Sequence, residues 1–300
     1  MDERVTPKRQ ALLRDGLEQL RLRYDERFLA TDPLAFPRRF ERGEDREVIG
    51  LVASALAYGN VKTIASSVEK CLDWMGPHPA EFARRTHPQE ALRSLGKFRH
   101  RWTRAEDVVC LVHFAGQMLE SHHSIGRFFA ESYVPGDMAD SLSRFSQRAL
   151  TLDHGGLYRT RTLPAQAGVR FFFTNPQTGA CKRTNMYLRW MVRPDDGLDL
   201  GLWPYIPTSD LVVPLDTHIY RIGRHLGWSH RKTPGFRAAL DITRILALLD
   251  PDDPVKYDFA LSRMGILENC PRHRSDSEAR ACELCHLKKR LEKTPPRRRR

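Results

Sequence analysis

The chain has 300 residues, 41% of them hydrophobic and 29% charged, and its 49 lysines and arginines against 37 acids leave a formal net charge of +12. That much apolar material builds one or two packed domains without disulfide staples, and the positive balance points to an anionic partner, nucleic acid first. No run approaches the ~20 apolar residues of a membrane span, Met1-Asp2-Glu3-Arg4 lacks the basic-then-apolar start of a secretory signal, and cysteines scattered at 71, 110, 181, 270, 282 and 285 fit a reducing interior. A cytoplasmic monomer, nucleoid-associated in a bacterium, is expected.

In chain order the reading is helical almost throughout. Lys8 to Tyr24 spaces Leu12, Leu13, Leu17, Leu20 and Leu22 near a 3.6-residue period, predicting a surface helix with a charged outer face. A loop follows through Asp32-Pro33 and Phe36-Pro37, then a helix after Asp45 whose Ile49 to Ala57 stretch is apolar on all sides, hence buried. It breaks at Tyr58-Gly59-Asn60 and resumes from Val61 to Met75. Gly76-Pro77-His78-Pro79 and His87-Pro88 punctuate a short helix. Phe98-Arg99-His100-Arg101-Trp102 mixes cations with aromatics, which suits either phosphate contact and base stacking or a joining segment with Phe98 and Trp102 packed inward. Ala105 to Ser121, Ile125 to Tyr133 and Ser141 to Leu150 read as three more helices, and Gly168 to Phe173 as the one short β-like run. Without strand alternation or a repeat, the expected class is all-α.

The stretch from Cys181 to Gly227 organises the rest. Lys182 opens a run free of Gly and Pro until Pro194, and so begins a helix. Further on, Pro214 holds Val213 extended, Asp216 can accept from the free N–H groups of the next turn, and helix-compatible residues continue to Gly223. One amine and one carboxylate thus sit at two helix starts, 216 − 182 = 34 residues apart. Taken singly, each has a bland reading: an exposed first-turn lysine, and a cap with no further role.

Together they resemble the helix-hairpin-helix DNA glycosylase superfamily. Leu215-Asp216-Thr217-His218-Ile219-Tyr220-Arg221 matches its Asp-Thr-His motif closely, while Asn175 to Lys182 carries one glycine where the usual hairpin has two. The longer spacing is similar to archaeal 8-oxoguanine DNA glycosylases, and Lys182 to Arg193 matches the Lys-Arg-x-Asn-x-x-Leu-Arg-Trp-Met-Val-Arg run of an uncharacterised bacterial family.

The resemblance implies a two-lobed glycosylase-like unit over residues 1–290. One helical lobe covers about 45–205, a second covers about 1–44 with 206–290, and 291–300 form a basic, disordered tail. It also implies excision of a damaged base from double-stranded DNA, with oxidised guanine the first candidate, by an N-glycosylase with abasic-site lyase activity. Catalysis falls to Lys182 and Asp216, base contacts to Asn60, Met186 and Asp258, and the DNA backbone to Arg183, Arg221 and Arg224. Asp258 precedes Gly265 by the seven residues of the archaeal pattern, but Ser262 stands where those enzymes have an aromatic. Asn60 and Asp258 also have plain readings, as a cap and as a solvated helix-start carboxylate.

The chemistry asks for an amine unprotonated often enough to attack the sugar C1′, against an ordinary lysine pKa of about 10.4. Desolvation and neighbouring cations promote the neutral form. Arg183, Arg189, Arg193 and the apolar neighbours Met186, Leu188 and Trp190 offer both. No cofactor is needed.

Many superfamily members close with a four-cysteine iron–sulfur cluster, and the spacing here lacks the fourth thiolate. Cys270, His273, Cys282 and Cys285 compose a Cys3His set that suits structural zinc. Zinc, the cluster and no metal at all stay open. Two other functions stay open too: a catalytically silent DNA- or RNA-binding module that keeps the fold, and a helical protein-interaction scaffold.

Overall fold

The structure, a computed structural model, describes residues 6–268 and 283–293, the side chains of 283–285 excepted. Helix α2 (Gly43–Leu56) is its centre. Being apolar on every side it can only be buried, and Val48 to Leu56 are all buried. Around it pack α3 (Val61–Met75), α4 (Pro79–Arg85), α6 (Ala105–His122), α7 (Ile125–Ala130) and α9 (Lys182–Val192), with α5 (Pro88–Leu95) on α6 and α8 (Met138–Ala149) completing the group.

A second group forms where α1 (Pro7–Arg23) meets α11 (Phe236–Leu249), α12 (Asp258–Leu267) and α13 (Glu283–Glu292), with α10 (Thr217–His225) laid on α11 and α12. Arg14 of α1 donates twice to Leu249 O, at 3.1 and 2.8 Å, satisfying a carbonyl that the end of α11 leaves without a helical partner. The two groups share one apolar core. Among the described residues the fold is all-α apart from a two-stranded hairpin, β1 (Arg99–His100) and β2 (Thr103–Arg104), paired Arg99 to Arg104 and His100 to Thr103. Among the described residues no helix is long and apolar enough to cross a membrane.

Several sequence expectations are corrected. The β-like run is a 3-10 turn, Gly168–Phe171, because the Gly168 N–H is drawn 2.8 Å from the buried Asp107 carboxylate rather than into a ladder. It is all that precedes the hairpin turn at Asn175–Gly179, so among the described residues that turn has no full first helix of a helix-hairpin-helix before it. Phe98 packs inward as one reading had it, but Trp102 is 48% exposed at the tip of the β1–β2 hairpin. Leu22 stays outside at 65% exposure. Leu291, assigned to the tail, is buried in α13 instead.

The seat of α9 is set by Gly50 of α2, which lets the two helices approach: a Cβ there would sit 2.4 Å from Met191 Cε and 3.1 Å from the Tyr187 ring. Tyr187 donates to Glu47 O at 3.0 Å near the start of α2, while Lys182 and Arg183 reach its end, so α9 runs antiparallel to α2.

Candidate active site

A cleft of about 830 Å³ opens where the α2–α3 break, the hairpin turn, α9, α10 and α12 meet. Lys182, Asp216, Asn60, Met186, Asp258 and Arg183 all line it, whereas Arg221 and Arg224 are not among its lining residues. Arg224 lies 6.0 Å from the Tyr220 ring on the surface of α10.

The turn before α9 is closed by the Thr178 and Gly179 N–H groups, both donating to Asn175 O, and by the Cys181 thiol, 3.2 Å from Thr174 O. Cys181 itself takes a left-handed φ of 51°, a strained conformation for a side-chain-bearing residue. The strain sets the direction in which Lys182 leaves the turn. Lys182 Nζ donates to Ala57 O at 3.1 Å, at the end of α2 where carbonyls lack helical partners. Arg183, expected at the DNA backbone, is instead packed among the Tyr58, Phe172 and Phe171 rings at 5.4, 5.7 and 5.8 Å, and burial lowers its pKa. Such a guanidinium is held by cation–π attraction.

Two more expected cations are also committed elsewhere. Arg189 and Arg193, read as neighbours that would promote a neutral amine, are neutralised by carboxylates from outside the helix. Arg189 pairs with Asp199 at 3.0 Å and Asp258 at 2.6 Å, and Arg193 with Asp199, with Asp196 at 3.0 Å and with Asp253 at 2.9 Å. The arginines and Asp199 are buried, so the network ties α9 to α12 and to the segment before it.

Asp216 caps α10 through Oδ1, which accepts from Ile219 N–H at 2.8 Å, and its Oδ2 accepts from Ser262 Oγ at 3.4 Å. It is cap and cleft carboxylate at once. Ser262 occupies the place where the resemblance implied an aromatic, and a ring there could not donate this bond. Gly265 explains itself through the same helix pair: a Cβ on it would lie 2.5 Å from His218 Cβ, so only glycine lets α12 approach the first turn of α10.

Asp258 forms part of the floor. Its Oδ2 accepts from Arg189, and its Oδ1 is buried without a partner. Burial, reinforced by the Asp216 and Asp199 charges and opposed by Arg189, lifts its pKa to about 6. The solvated reading is therefore excluded. Asn60 does cap α3, its side-chain oxygen accepting from Lys62 N–H at 2.9 Å, while the residue stays exposed in the cleft wall.

Sequence reasoning left the rim undecided. The Trp102 and Tyr58 rings stack at 4.5 Å and 20°, and Phe171, 49% exposed, lies 6.1 Å from Trp102. The hairpin that presents Trp102 is rigidly held: Tyr58 Oη lies 2.8 Å from His100 O and 2.6 Å from Thr103 Oγ1, and His100 is pinned by Ser67 Oγ at 2.9 Å. A tryptophan among arginines was the available signal. Arg263 and His218, which also line the cleft, gave none.

Cys270, His273, Cys282 and the side chain of Cys285 lie outside the described residues. Among the described residues no group of three or more His, Cys, Asp or Glu side chains is arranged to hold a metal ion.

A family model described as a protein of unknown function, DUF2400, matches residues 32–267, a span that takes in Lys182, Asp216, Asp258, Arg263 and the aromatic rim. No curated protein and no solved structure matches the chain.

Proposed function

The chain belongs to that family, whose description carries no activity over to it, and we propose from the cleft itself that the protein is a DNA glycosylase with abasic-site lyase activity, built on the two-lobed glycosylase plan. The observation that supports this reading is convergence. Lys182 and Asp216, 34 residues apart in sequence (216 − 182), line one cleft together with a carboxylate whose free oxygen is buried and unpaired. The cleft's stacked aromatic rim suits a base extruded from a duplex.

In this reading the Lys182 amine attacks C1′ of the damaged nucleotide. The C1′–N bond breaks with its electron pair going to the base, which takes up a proton and leaves. Loss of the amine's remaining proton and ring opening give a Schiff base between Nζ and C1′. Removal of a C2′ proton then expels the 3′ phosphate, and water releases the lysine. Asp216 stabilises the positive charge that develops on the sugar and moves protons between these steps. Tyr58, Trp102 and Phe171 wall the base pocket, and oxidised guanine is the first candidate base. The net charge of +12 supplies salt-sensitive attraction to the duplex.

Borohydride trapping tests it, on duplexes carrying an abasic site or 8-oxoguanine, with wild type, Lys182→Gln and Asp216→Asn in parallel. A covalent adduct in wild type that vanishes in Lys182→Gln is the expected result. Salt-sensitive binding with no adduct on either duplex rejects Lys182 as nucleophile and leaves a monofunctional enzyme or a binding module.

A further inference from the structure

We infer that the cleft selects bases bearing a lactam edge, an N–H beside a C=O, through Asp258 and Arg263. This selectivity rests on the glycosylase reading only in taking the ligand to be a nucleobase.

Both side chains line the cleft, and each has one polar atom left over. Arg263 Nη1 donates to Thr31 O at 3.2 Å, Nη2 pairs with Asp32 at 3.1 Å, and Nε is buried with no partner. Asp258 Oδ2 is taken by Arg189, and Oδ1 is buried with no partner. The guanidinium groups of Arg189 and Arg263 lie 6.0 and 5.5 Å from the same Phe259 ring, which brings the two leftover atoms to one part of the floor. They are an acceptor and a donor. A buried polar atom without a partner is destabilising, and a ligand edge of opposite sense relieves both at once.

A lactam edge does this: its N–H donates to Asp258 Oδ1, and its C=O accepts from Arg263 Nε–H. Guanine, hypoxanthine and uracil derivatives carry that edge. Adenine and cytosine derivatives reverse it, setting a ring-nitrogen lone pair against the carboxylate and an amino group against Nε–H. His218 Nδ1, a third unpaired atom lining the cleft, donates or accepts according to tautomer and adds no discrimination. Asp258 faces Arg189 on α9, Asp216 at the start of α10 and Asp199 after α9. Its pKa near 6 adds a signature. Protonation falls on Oδ1, the free oxygen, and turns that acceptor into a donor, so selectivity weakens as pH falls through that value.

Hypoxanthine and adenine differ mainly in this edge. Equilibrium binding of the full chain is compared on two duplexes that place one or the other, unpaired, opposite an abasic analogue. The hypoxanthine duplex binds roughly tenfold or more tighter at neutral pH. The ratio falls toward one in Arg263→Lys, which keeps a cation beside Asp32 but has no Nε–H. It persists in Asp32→Asn, which removes the ion pair and leaves Nε–H in place. Equal wild-type affinities, a ratio untouched by Arg263→Lys, or a ratio lost equally in Asp32→Asn overturns the inference. Trapping on the abasic duplex, where there is no base to read, separates the two proposals. An adduct without base preference leaves the lyase reading standing and removes this one, and a preference without an adduct does the reverse.

Discussion

The two ends of α9 put the same kind of residue to opposite uses. At its start Lys182 is half-buried, holds one backbone carbonyl and faces the cleft. At its finish Arg189 and Arg193 are buried among Asp196, Asp199, Asp253 and Asp258. Spacing along one helix places cations on a face but does not say whether they remain available. Carboxylates delivered by distant segments decide that. The difference divides the labour: one end of α9 is locked so that the other can be positioned, and Asp258, which touches the lock, also borders the cleft.

The locked end gives the largest expected effect. Asp199→Ala leaves two buried arginines short of a carboxylate and is expected to lower stability by about 3–5 kcal/mol, read from chemical denaturation. A loss under about 1 kcal/mol would mean that water reaches the network, and the contrast between the two ends would disappear.

Gly265→Ala comes next, at about 1–3 kcal/mol, because its Cβ must displace His218. Adduct formation should fall further than stability does, since the displaced turn follows directly on Asp216. Full adduct yield from a destabilised variant would show that α10 tolerates the shift. For Asp216 itself, replacement by Ala should cost about 1 kcal/mol through the lost cap and replacement by Asn close to nothing, asparagine being an equally good cap. Both should abolish adduct formation, and a melt run beside the trapping assay separates capping from chemistry.

The smallest change in stability is expected at the open end. Lys182→Gln removes a single contact to Ala57 O and should stay within about 0.5 kcal/mol of wild type, while removing the adduct entirely. A large destabilisation would make Lys182 a structural residue like Arg189.

Much of this was legible locally. Helix α2 is buried because its residues are apolar on every side, the break at Tyr58–Asn60 follows from glycine and a capping asparagine, and Asp216 caps α10 because it stands one residue before a helix. The 3-10 turn at Gly168 was not, since its cause is Asp107, 61 residues earlier (168 − 107). Nor was the outward Trp102, whose hairpin is held by Tyr58 and His100 contacts across long loops.

By itself the sequence determined which segments are helical, where they start, and that an amine and a carboxylate each open one, because periodicity, caps and breakers act within a turn or two. Only the tertiary structure decided that the two groups share a cleft, that Arg189 and Arg193 are neutralised, and that Asp258 Oδ1 and Arg263 Nε remain unpaired. Charge balance and hydrogen-bond satisfaction in a buried place depend on whatever the rest of the chain brings there, and no local pattern carries that information.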